Sequence, residues 1–172
     1  MKPIFDLTGQ TALVTGGSRG IGRAISRMLA EAGADISLVS RDIKACDQVA
    51  KEITDRTGRR TVAFECDVSI PGPVELAVEG TLDNMGQIDI LINNAGINIR
   101  TPIEKLTLDE LRKVFDTNVF GAFLFSKSVA AHMKTRRSGR IINIGSITAK
   151  LPRSEQGAYG SSKAALHTLT KT

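Results

Sequence analysis

Two stretches of this sequence combine residue types and spacings that suit chemistry. AYGSSK, Ala158 to Lys163, holds the only tyrosine of the chain and a lysine four residues after it. A phenol can give a proton to an oxygen within hydrogen-bond reach, but with an ordinary pKa of roughly 10 it needs its anion stabilised to do so at neutral pH. On a helix, residues four apart share a face, so the Lys163 ammonium would sit beside Tyr159 and favour the phenolate. TGGSRGIG, Thr15 to Gly22, follows a β-branched run and leads into IGRAISRMLAEAGA. Glycines there let a phosphate approach the backbone, and the start of the helix supplies free N–H groups and positive potential. A diphosphate fits such a turn, although the spacing Gly16, Gly20, Gly22 differs from the G-x-G-x-x-G fingerprint.

A third group bears on which nucleotide would bind. At the end of the second β-branched run the sequence reads VSRD, with Ser40 at the expected strand end and Arg41 after it. A carboxylate there would hold a ribose 2′-hydroxyl, and an arginine a 2′-phosphate. Arg41, with Arg19 from the glycine turn, favours NADP(H). Asp42 keeps NAD(H) open, because a strand ending one residue later would make it the ribose ligand; it could equally cap the next helix.

These groups need elements to position them. Short β-branched runs, at Thr11 to Thr15, Asp35 to Ser40, Thr61 to Cys66, Ile88 to Asn93 and Arg140 to Ser146, alternate with amphipathic segments near 21–32, 43–57, 72–86 and 108–135, and a last helix is expected from about Gln156. Nearly continuous apolar strands, each followed by a helix, predict an α/β fold with a doubly wound, Rossmann-like parallel sheet in the order 3-2-1-4-5. The ligand crevice would lie at the carboxyl ends of strands 1 and 4. One domain over residues 1–172 is expected.

Composition narrows the function classes. The chain is 41% hydrophobic and 24% charged, with no apolar run near the roughly 20 residues a membrane span needs. MKPIFDLTGQ lacks the apolar core of a signal peptide, which predicts a cytoplasmic protein. Cys46 and Cys66 have no metal-ligand spacing, so neither a metal site nor a bridge is expected. The net charge of +5 peaks at Lys134, Arg136, Arg137 and Arg140, where a helix should end; without stacking aromatics it does not indicate a nucleic-acid partner. His132 and His167 fall away from the expected crevice.

The ordered set Thr15–Gly22, Asp67-Val68, Asn93-Asn94-Ala95-Gly96, Asn118, Ser146 and Tyr159–Lys163 resembles the short-chain dehydrogenases/reductases, in particular 3-oxoacyl-reductase and gluconate-dehydrogenase-like members. The resemblance implies catalytic roles for Asn118, Ser146, Tyr159 and Lys163. Ser146 would bond the substrate oxygen, Lys163 the nicotinamide ribose, and Asn118 a relay water. Cofactor contacts would come from Gly16, Ser18, Arg19, Gly20, Ile21, Gly22, Ser40, Arg41, Asp67 and Val68 (beside the adenine), Asn93, Ala95, Gly96, Tyr159 and Lys163. Activity would be hydride transfer between NADP(H) and a small-molecule carbonyl or alcohol, in a homodimer or homotetramer. The resemblance further implies that the family's sixth and seventh strands lie outside these 172 residues, which leaves a second reading: a nucleotide-binding fragment without turnover.

Overall fold

In the computed structural model, which describes residues 5–171, the five β-branched runs form strands β1 (Thr11–Thr15), β2 (Asp35–Ser40), β3 (Thr61–Glu65), β4 (Ile90–Asn93) and β5 (Arg140–Asn143). Both expected domain limits and the first four residues of MKPIFDLTGQ lie outside the described residues. All neighbouring strands pair in parallel in the order β3-β2-β1-β4-β5. The winding therefore reverses between β1 and β4, and a crevice opens at their carboxyl ends.

Among the described residues there are six α-helices, α1 (Gly20–Glu31), α2 (Ile43–Thr57), α3 (Pro71–Met85), α4 (Leu108–Phe115), α5 (Gly121–Arg136) and α6 (Gly157–Leu169); α1, α2, α3 and α5 pack on the sheet, and α4 packs against α6. Their ends follow local chemistry. Asp42 caps α2 by accepting from Ala45 N at 3.0 Å, Pro71 starts α3 where no N–H is needed, and Thr107 with Glu110 forms a capping box on α4. The helix expected over 108–135 is two helices, separated by a π-helical turn at Asp116–Phe120. The wide turn rotates Asn118 inward to 1% exposure, where its amide binds the loop after β4.

Strand side chains alternate between two cores. Leu13 and Leu91 meet Val74 and Val78 of α3 and Phe125 and Val129 of α5, whereas Val14, Ile36 and Ile92 meet Ala30 of α1 and Val49 and Ile53 of α2. Each fully buried aliphatic side chain contributes about 1.5–3 kcal/mol, so the firmest part of the sheet is β2, β1 and β4, of which the last two border the crevice. β3 and β5 are the two edges, and on β5 Ile141 and Ile142 are 37% and 47% exposed. No described helix is long and apolar enough to cross a membrane.

At the opposite end of the sheet the buried Asp89 accepts from Thr11 N and Arg136 Nη2, each at 2.8 Å, and from Gln87 Nε2 at 2.9 Å. The basic cluster is thus partly explained: Arg136 ends α5 and pairs with this carboxylate. Asp89→Ala would strand a backbone donor and a guanidinium together, with an expected loss of about 2–3 kcal/mol in urea unfolding; an unchanged midpoint would show the cluster to be ornamental.

Candidate active site

The turn after β1 is shaped by its glycines. Gly16 and Gly20 take left-handed backbone angles, φ +65° and +54°, which other residues resist. Gly22 does not face the cavity. A Cβ there would lie 2.2 Å from Gly16 O, so this glycine lets the turn fold back onto the first turn of α1. Arg19, the residue before α1, is extended and gives no side-chain cap, and the first turn of α1 carries no acidic residue. α2 and α4 have caps; α1 presents its N–H groups to whatever fills the crevice.

Asn94 fastens the turn to β4. Its Nδ2 donates to Thr15 O at 3.0 Å and Gly16 O at 3.2 Å, while Thr15 Oγ1 accepts from Asn94 N and Ala95 N, both at 3.0 Å. Asn93, expected in the crevice, is turned the other way: its Nδ2 donates to Asn143 Oδ1 at 2.8 Å and Ser126 Oγ at 3.1 Å beneath β5. The strand's alternation explains the correction, since adjacent residues face opposite sides of a sheet.

A cavity of about 410 Å³ runs along the carboxyl ends of β1 to β4. One end has Ser40, Arg41, Asp67 and Val68, the middle has Gly16, Ser18, Arg19, Gly20 and Ile21, and the other end has Ala95, Gly96, Tyr159 and Lys163. β2 ends at Ser40, Ser18 and Ser40 share a hydrogen bond at 3.0 Å, and Asp42 is occupied as the α2 cap. Arg19 and Arg41 form no salt bridge among the described residues. Asp67 accepts from Ser69 Oγ at 2.6 Å and Ser69 N at 3.0 Å, and the Ser69 side chain is the main reason its carboxyl stays below the usual range. Cys66 also lines the wall, but burial pushes its thiol up to about 12 and that of Cys46 to about 11, so both stay protonated and inert.

At the far end Lys163 is 3% exposed, donates from Nζ to Ile144 O at 2.7 Å, and lies 5.8 Å from the centre of the Tyr159 ring. Burial lowers the pKa of its ammonium. Gly96 leaves room for the neighbouring Asn118 amide: a Cβ there would come within 3.2 Å of Asn118 Oδ1, whereas its 3.7 Å from Lys163 Nζ would be ordinary contact.

Ser146 stands just outside the cavity lining, before a short 3-10 turn at Ile147–Ala149, and its Oγ accepts from Thr148 Oγ1 at 2.8 Å and Thr148 N at 3.2 Å. With both lone pairs engaged, its remaining capacity is donation. Asn118 does not line the cavity either; its amide is spent on Ile97 and Ser162. Neither His132 nor His167 reaches the cavity. Sequence reasoning missed Thr15 and Ser162, whose roles depend on partners distant in the chain.

Residues 10–172 match the family described as short chain dehydrogenase. Over 167 residues the chain is 38% identical to a 3-oxoacyl-[acyl-carrier-protein] reductase of Synechocystis sp., covering 96% of this chain and 67% of that protein. L-sorbose reductase from Gluconobacter frateurii, solved with NADPH and L-sorbose, superposes with a TM-score of 0.94 at 31% identity, covering 99% of this chain and 64% of that one. A xylitol dehydrogenase solved with NAD+ gives 0.92 at 32% identity, covering 96% and 64%. The chain thus spans about two thirds of the length of the proteins it matches.

Proposed function

Because this chain belongs to the short-chain dehydrogenase family, we propose that it transfers a hydride between NADP(H) and a carbonyl compound or secondary alcohol, with Tyr159 giving and taking the proton. One observation carries the reading: a single cavity joins the uncapped start of α1 to Tyr159 and Lys163. A dinucleotide fits this chemistry, its diphosphate at Gly16 to Ile21 and its adenine beside Asp67 and Val68. When bound, it supplies or accepts the hydride.

The chain's residues would manage the oxygen and its proton. Ser146, left with only its O–H to offer, donates to the substrate oxygen and orients the carbonyl. Tyr159 passes its proton to that oxygen, and the Lys163 ammonium stabilises the phenolate that remains. Lys163 would also hold the ribose hydroxyls. With its side chain engaged, Asn118 would serve a relay water through its main chain.

For the cofactor, Arg19 and Arg41 line the cavity without a salt bridge among the described residues and would grip a 2′-phosphate, while Asp42 is committed to α2, which favours NADP(H) over NAD(H). Relatives solved with NADPH and with NAD+ leave either possible. Arg41→Ala should lower the NADPH-to-NADH affinity ratio by about 10–100-fold, the worth of one charge-assisted contact; titration of nucleotide fluorescence measures it, and an unchanged ratio removes the preference.

The substrate would be a 3-oxoacyl thioester, a sugar or sugar acid, or a small ketone. Thr101 N donates to Glu155 O at 3.0 Å and joins the loops after β4 and β5, whose exposed Arg100 and Arg153 would attract an anionic substrate. Phe120 and Phe123, 52% and 45% exposed beside each other on the α4–α5 segment, support assembly as a homodimer or homotetramer. The exposed Ile141 and Ile142 support the second reading, nucleotide binding without turnover. NADPH consumption with a panel of carbonyl compounds separates the two: binding with no consumption favours the second.

A further inference from the structure

Ser162 lies one residue before Lys163 on α6 and is 0% exposed. A buried hydroxyl without partners costs about 1–3 kcal/mol, so its bonds matter. Its Oγ donates to Tyr159 O at 2.7 Å and accepts from Asn118 Nδ2 at 2.9 Å. The same Asn118 amide accepts from Ile97 N at 2.8 Å and donates to Ile97 O at 2.9 Å. Two different groups of Ile97 thereby fix which way the amide faces. Nδ2 must point at Ser162, and the one serine proton must go to the Tyr159 carbonyl. The loop after β4, the π-turn and α6 are tied around a single amide. The amide and the ammonium flank the same glycine, for a Cβ built on Gly96 would lie 3.2 Å from Asn118 Oδ1 and 3.7 Å from Lys163 Nζ.

We propose that Ser162 is a positioning residue for proton transfer: by fastening Asn118 to α6 it holds Tyr159 and Lys163 at one setting against the loop after β4. The proposal rests on the reading of Tyr159 and Lys163 as the proton-transfer pair. Removing the hydroxyl frees one end of the Asn118 amide and lets α6 shift relative to Ile97. It leaves the nucleotide turn untouched, since Ser162 bonds nothing on β1 or α1.

The test compares Ser162→Ala, Ser162→Thr, Asn118→Ala and the Ser162→Ala/Asn118→Ala double variant, with Ser162→Cys in place of alanine if the alanine chain unfolds. Ser162→Ala should lower kcat about tenfold with NADPH affinity within about twofold, and threonine should recover most of the loss. In the Asn118→Ala background the same change should add less than about twofold, because the serine acts through the asparagine. Exchange of the Asn118 side-chain amide protons, followed by NMR, should quicken about tenfold or more in Ser162→Ala and stay slow in Ser162→Thr. Equal losses in both backgrounds, an unchanged kcat, or unchanged amide exchange would each overturn the proposal. A parent chain that binds NADPH but reduces no carbonyl would sink the proton-transfer reading instead, and the amide exchange would still decide whether Ser162 holds Asn118.

Discussion

Tyr159→Phe abolishes carbonyl reduction, by an expected factor of about 10³ or more, and leaves NADPH affinity within about twofold. The asymmetry follows from what the substitution removes. Phenylalanine keeps the ring that lies 5.8 Å from the Lys163 ammonium, so the packing of α6 and the wall of the cavity survive. Only the acidic hydrogen is lost, and no other group lining the cavity replaces it. The histidines lie elsewhere, and the Cys66 thiol, pushed up to about 12, belongs to the end of the cavity remote from Tyr159. Rates from NADPH absorbance and affinities from its fluorescence are to be measured on one preparation. Turnover above about a tenth of the parent value would mean that the proton comes from somewhere other than Tyr159.

The residues that made this prediction possible were those whose chemistry is local. The glycine turn, the Ser40–Arg41 strand end and the Tyr159–Lys163 spacing are set by backbone conformation and helical periodicity, and both can be read from neighbours in the chain. β1 and β2 accordingly begin and end where their β-branched runs do. β4 begins two residues later than Ile88 and β5 stops at Asn143, because strand length depends on the partner, and the register of β4 against β5 runs from Ile90 with Arg140 to Asn93 with Asn143.

What stayed hidden is long-range. Nothing local distinguishes a π-turn at Asp116–Phe120 from continued α-helix, since the apolar pattern runs straight through it. Within the turn Asn118 is held by Ile97, 21 positions away, and by Ser162, 44 positions away. Asn93 and Asn94 look alike as a dipeptide, and only the alternation of β4 sends one beneath β5 and the other to the glycine turn. Ser162 is one serine in a row of two, with no feature that marks it until Asn118 is folded against it.

Lys163→Met brings two opposed results: turnover falls by about 10²-fold or more, and the fold becomes more stable by roughly 1 kcal/mol at neutral pH. The loss follows from the phenolate, which no longer has a cation beside it. The gain follows from burial, because an ammonium 3% exposed gives up most of its hydration and recovers one hydrogen bond, to Ile144 O. Ile144 itself lines the open cavity, so its carbonyl can turn to water when the lysine is gone. The pH dependence separates this account from simple repacking. Burial lowers the lysine pKa in the folded chain, so between that lowered value and the ordinary one, about 10.4, the unfolded chain holds more protons than the folded. Stability of the parent therefore rises with pH across that interval, and the penalty is fully present below it. The methionine chain lacks this rise, and the titrating groups remote from Lys163 are common to both chains and cancel in their difference. Urea unfolding of the pair from neutral to alkaline pH should show the advantage of methionine constant at first and then shrinking. An advantage that does not change with pH would mean that Lys163 is not a desolvated cation, and its place beside Tyr159 would then need another explanation.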